Sequence, residues 1–83
     1  MSNKTITGKV TYDDGEALPG TLIYIRGHSL ETGTTSSLEG EYSIEAKPED
    51  TLIYMAEGYM QNEKLVGSNT VINVEMYEPP DFE

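Results

Sequence analysis

One histidine, fifteen carboxylates and no cysteine set the chemical repertoire of this 83-residue chain. His28 lies beside Gly27 in a segment read as a loop. A single imidazole builds neither a Ser-His-Asp triad nor a multi-histidine metal site, so it is read as structural or simply exposed. Asp13-Asp14-Gly15-Glu16 gathers the oxygen donors that a hard cation wants. It lacks the alternating ligand spacing and closing glutamate of an EF-hand loop, and reads instead as a hairpin turn with Gly15 supplying a positive φ. Glycosidase chemistry needs two carboxylates flanking a cleft, which so short a chain rarely encloses. Gly27 to Gly33 contains no lysine and no helix is expected after it, so it is not a phosphate loop. The chain is therefore read as a non-enzyme, with no catalytic residue, no metal site and no cofactor.

Aromatic residues offer a better lead. Six tyrosines accompany one phenylalanine and no tryptophan. With the strand phases given below, Leu22, Tyr24, Ile53, Met55, Val71 and Tyr77 all point away from the core. They form an expected apolar patch for a protein partner, with a glycan as a possible ligand.

The elements that would carry these residues are strands. Runs of about six residues rich in Ile, Val, Thr and Tyr alternate with Gly and Pro punctuation, and no window holds apolar residues at helical spacing over three turns. Lys4 to Tyr12 is predicted as the first strand, and Thr21 to Gly27 as the second, with Ile23 and Ile25 on one face and Leu22, Tyr24 and Arg26 on the other. A short Thr-rich strand follows over Thr32 to Ser36. Glu41 to Ala46 alternates cleanly, burying Tyr42, Ile44 and Ala46. Strands are also predicted over Thr51 to Ala56, Met60 to Val66 and Thr70 to Tyr77, the last burying Ile72, Val74 and Met76. About seven strands with turns every 8–12 residues predict an all-β sandwich over 1–77. The acidic tail 78–83, with Pro79 and Pro80, reads as a linker.

Charge narrows the partners. Fifteen acidic against five basic residues give a net charge of −10, which disfavours nucleic acid and anionic membrane surfaces. The acids are spread along the chain rather than gathered in a block, the pattern of a solubilising surface. Met1 to Thr5 is polar with no apolar stretch of signal-peptide length behind it, and no run approaches a membrane span. The expectation is a cytoplasmic protein or a piece of a longer exported one, with no direct membrane insertion by this domain.

An ordered series of short motifs carries a resemblance. Ile6-Thr7-Gly8-Lys9-Val10, Leu18-Pro19-Gly20 and Ile23-Tyr24-Ile25-Arg26-Gly27 are followed by Gly33-Thr34-Thr35, Gly40-Glu41-Tyr42, Leu52, Gly58-Tyr59 and Ile72-Asn73-Val74. From about Thr5 to Tyr77 the chain resembles a carboxypeptidase-D regulatory-like domain. Its variant closest to this pattern is similar to the N-terminal extension of SusC-type TonB-dependent outer-membrane receptors of Bacteroidetes. Ser37 stands where that pattern usually carries aspartate. The resemblance implies a seven-stranded transthyretin-like or Ig-like sandwich and a periplasmic or outer-membrane-associated module that binds protein partners or the rest of its receptor. Stand-alone or tandem surface domains, and domains beside a metallocarboxypeptidase, are the alternatives it leaves. Gly8, Pro19, Gly20, Gly27, Gly40, Gly58 and Tyr59 are then structural, with Gly20, Gly40 and Gly58 holding conformations other residues would strain, Pro19 rigidifying a crossover and Tyr59 a core or corner tyrosine. Asn3-Lys4-Thr5 matches a glycosylation sequon and Asp50-Thr51-Leu52 a short bacteroidete O-glycosylation pattern.

Overall fold

Alternation of buried and exposed side chains is cleanest in Glu41–Ala46, where every second residue is buried. That period can satisfy only a strand with one face on a core. In the computed structural model, which describes residues 4–28 and 33–78, seven strands form. They are β1 (Lys4–Tyr12), β2 (Leu22–Ile25), β3 (Thr34–Thr35), β4 (Glu41–Ala46), β5 (Thr51–Met55), β6 (Asn62–Leu65) and β7 (Val74–Met76). There is no helix among the described residues. A three-stranded sheet in the order β4-β1-β7 packs on a four-stranded sheet in the order β3-β2-β5-β6. The protein is a small β-sandwich, as the strand spacing predicts.

Ile6, Val10, Ile44 and Val74 from one sheet meet Ile23, Leu52 and Tyr54 from the other in a single core. A hydroxyl link crosses that core. Tyr42 Oη donates to the Ile72 carbonyl at 2.6 Å, which uses its only proton, so Tyr54 must donate to Tyr42 at 2.6 Å. The rings meet edge to face. Burial raises both hydroxyls above the ordinary phenol range, Tyr54 the more strongly.

Gly8 makes this link possible. Tyr42 is its register partner on β4, and Ile72 lies on the opposite side of β1. The tyrosine must therefore cross over Gly8 to reach Ile72. A Cβ at Gly8 would stand 1.8 Å from the Ile72 oxygen and 2.9 Å from the Tyr42 ring. Gly20, Gly27, Gly40 and Gly58 serve differently, each with φ between 76° and 85°.

The last strand is shorter than its predicted span of Thr70 to Tyr77. Val71 forms only an isolated bridge to Thr7, and regular pairing resumes at Val74 with Val10. Between them the Ile72 carbonyl is taken by Tyr42, while the Lys9 amide turns to the Asn73 side chain. Side chains thus replace ladder bonds at this point, which periodicity cannot register. The second, fifth and sixth strands also stop short of their predicted ends, at Leu22–Ile25, Thr51–Met55 and Asn62–Leu65. The third is confined to Thr34–Thr35, and its predicted start at Thr32 lies outside the described residues. The tail from Pro79 and the sequon asparagine Asn3 lie there too.

Candidate functional site

The four-stranded sheet carries an apolar outer face. Leu22 pairs with Met55 and Tyr24 with Ile53, so these four side chains share one side of adjacent strands, opposite Ile23, Leu52 and Tyr54. Leu22 and Tyr24 are half-buried and Met55 is exposed. Ile53 departs from its predicted exposure, being only 2% accessible although it faces away from the core. Tyr24 flanks it on β2 and Glu63 on β6. The Arg26–Glu63 ion pair runs from β2 to β6, and so passes over β5 beside it. A long cationic side chain and a tyrosine ring together shield an isoleucine that alternation alone leaves in water.

Val71 and Tyr77 do not join this face. Val71 bridges to β1 and Tyr77 follows β7, placing both with the three-stranded sheet. The six-residue patch is thus divided: four residues together and two on the other layer. Tyr77 is exposed and its hydroxyl donates to Glu75 at 2.6 Å. That bond and the nearby negative charges hold the hydroxyl above its ordinary range.

A second grouping joins residues far apart in the sequence. Tyr12 and Tyr59, 47 positions apart in sequence, pack with ring centroids 5.7 Å apart and their planes tilted by 53°. Both are half-buried against the core. The Met60 amide donates to the Tyr77 carbonyl and the Asn62 side chain reaches the Glu75 carbonyl, so the β5–β6 connection closes onto the end of β7. Beside Tyr59 a surface notch of about 430 Å³ is lined by Leu22, Met55, Ala56, Glu57, Tyr59 and Gln61. The only sequence signal for it was Gly58-Tyr59.

The acidic turn behaves as a turn. Asp14 Oδ1 accepts the Glu16 amide at 3.0 Å, and the Tyr12 carbonyl accepts the Gly15 amide. No group of three or more acidic, histidine or cysteine side chains is arranged to hold a metal among the described residues. His28 is exposed. Asp50 Oδ2 accepts the Lys47 amide at 2.8 Å, capping the turn before β5, and the neighbouring Thr51 is half-buried.

No protein-family profile matches the chain. Over 69 residues, 83% of its length, it is 39% identical to TonB-dependent receptor P26 of Formosa agariphila. This chain is similar to a segment of TonB-dependent receptors. Over 73 residues it is 36% identical to TonB-dependent receptor P3 of the same organism. It spans only 7% of the length of each receptor. Among solved structures, a streptococcal ancillary pilin covers 92% of the chain with a TM-score of 0.58 at 8% identity, the likeness extending over 32% of the pilin chain. That likeness is one of fold.

Proposed function

We propose that this chain is a non-catalytic accessory interaction domain, the periplasmic N-terminal extension of a SusC-like TonB-dependent outer-membrane receptor for nutrient uptake. The observation that carries this reading is the 39% identity to TonB-dependent receptor P26 along most of the chain, against 7% of the receptor. A segment so small relative to the receptor is the size of a module, and an all-β sandwich of this size is a fold that can serve as one. The ordered Gly and Pro motifs support a carboxypeptidase regulatory-like, transthyretin-like subtype. The apolar outer face over Leu22, Tyr24, Ile53 and Met55 supports a role in contacting protein, either a partner or the remainder of the receptor.

Fractionation of the source cells tests the reading, with an antibody raised against this domain as the detector. A large species in the outer-membrane fraction is the expected result. A soluble species near 9.2 kDa would overturn it and leave a free-standing binding domain.

A further inference from the structure

The two ends of the sandwich differ in charge. Lys4, Arg26 and Lys47 cluster at one end, where they offset the carboxylates of Glu45, Glu49 and Asp50: Lys4 Nζ donates to the Gly67 carbonyl, Gly67 bonds to Pro48, and the Arg26 amide bonds to the Thr51 carbonyl at the start of β5. Lys64, opposite Leu52, lies one residue further in. Lys9 lies within β1, opposite Glu41 and beside Glu75. These are all five basic residues of the chain. The far end, where β1, β5 and β7 finish, carries Glu57 in the lining of the notch and Asp13, Asp14 and Glu78 near the Tyr12–Tyr59 pair. Tyr59 registers these charges: burial first, then Tyr12, Glu78, Asp13 and Asp14 raise its hydroxyl above the ordinary range.

We infer that the notch at this end docks a cationic, extended polypeptide segment of a protein partner. The aliphatic stem of a lysine or arginine fills the space between Leu22, Met55, Ala56 and Tyr59. Its charged head reaches the face of Tyr59 and the surrounding carboxylates. The inference rests on the interaction-domain reading and names its partner class. Charge complementarity selects this occupant. An anionic or neutral segment gains nothing from the four carboxylates, and a purely apolar segment would strand them at its rim. The lining combines thioether and alkyl groups with one carboxylate and one phenol, which suits a side chain that is apolar along its stem and charged at its tip. A strand of about eight residues, at roughly 3.3 Å each, spans the 25 Å width of the molecule.

The test uses the isotopically labelled 83-residue chain and three synthetic peptides of about that length, alternating serine with lysine, glutamine or glutamate. Amide shifts are expected with the lysine peptide alone, concentrated at Tyr12 to Asp14, Leu22 and Met55 to Gln61. Met55→Ser and Asp13→Asn are each expected to weaken its binding about threefold, consistent with one exposed apolar or charged contact, while leaving thermal unfolding unchanged. Shifts spread evenly to Glu45 and Glu49 at the opposite end, a response to the glutamine peptide, or unchanged affinity in Met55→Ser would each overturn the inference. The cell fractionation remains a separate readout. An outer-membrane species whose domain ignores the lysine peptide refutes this inference and keeps the receptor reading. A small soluble species that binds the peptide does the reverse.

Discussion

The two sheets are built from the same alternating pattern yet present different outer faces. On the three-stranded sheet the outward positions include Thr5, Thr7, Lys9, Glu41, Ser43, Glu45, Val71, Asn73 and Glu75, all exposed and all but Val71 polar or charged. On the four-stranded sheet they include Leu22, Tyr24, Ile53 and Met55, of which only Met55 is exposed. Their inner connections differ as well. The three-stranded sheet interrupts its own β1–β7 ladder so that Tyr42 can cross Gly8 to Ile72, while β2 and β5 pair without a break. The contrast teaches that burial and core membership are separable. Ile53 is buried without belonging to the core cluster, because neighbours on its own face cover it.

The most damaging way to break this contrast is Gly8→Ala. Its methyl would collide with the Ile72 carbonyl and the Tyr42 ring, and a loss of at least about 3 kcal/mol is expected in urea unfolding. A cost under about 1 kcal/mol would show that β7 can shift aside and that the Tyr42 crossing is dispensable.

Ile53→Ala sharpens the other half of the comparison. If Tyr24 and the Arg26–Glu63 pair shield this side chain as described, removing it costs about 2 kcal/mol although it faces outward. A cost near that of an exposed position would mean that the cover opens in solution. Tyr24→Ser, next to it, is expected to weaken partner binding with the fold intact.

The hydroxyl link between the layers gives a smaller and pH-dependent effect. Tyr42→Phe leaves both the Ile72 carbonyl and the Tyr54 hydroxyl without their partner, at about 2 kcal/mol, whereas Tyr54→Phe removes one bond, at about 1 kcal/mol. Both phenols are raised in the folded protein, chiefly by burial. The associated stability is therefore fully present below the ordinary phenol value near 10 and is lost as pH rises above it. Urea midpoints are expected to hold up to about pH 9 and fall beyond about pH 10, less steeply in Tyr54→Phe. An unchanged slope would remove the buried pair as the cause.

Exposed positions on both sheets should matter least. Thr7→Ala on one layer and Met55→Ser on the other are expected to change stability by less than about 0.5 kcal/mol. A larger effect of Thr7→Ala alone would show that the polar face also contributes packing.

Much of this is legible in the sequence. Strict alternation in Glu41–Ala46 allows only a strand with Tyr42, Ile44 and Ala46 inward, because a side chain on a pleated strand has two directions to choose from. Gly15, Gly20, Gly40 and Gly58 all adopt positive φ, a conformation that strains residues with a Cβ, so a glycine between strands is a local signal that needs no tertiary contact. The four-residue apolar face followed from the phases of β2 and β5. The split of Val71 and Tyr77 from that face did not follow. Phase tells which side of its own sheet a residue takes, not which sheet its strand joins.

What the sequence determined by itself was the class of fold, the strand phases and the turns, because these depend on neighbours one to four positions away. Only the tertiary structure decided the rest. It set Gly8 beneath Tyr42, covered Ile53 with Arg26 and Glu63, and brought Tyr12 against Tyr59. It also turned acids and bases scattered evenly along the chain into two unlike ends. Strand order and direction govern those meetings, and both are settled by how the two sheets jointly bury their apolar faces.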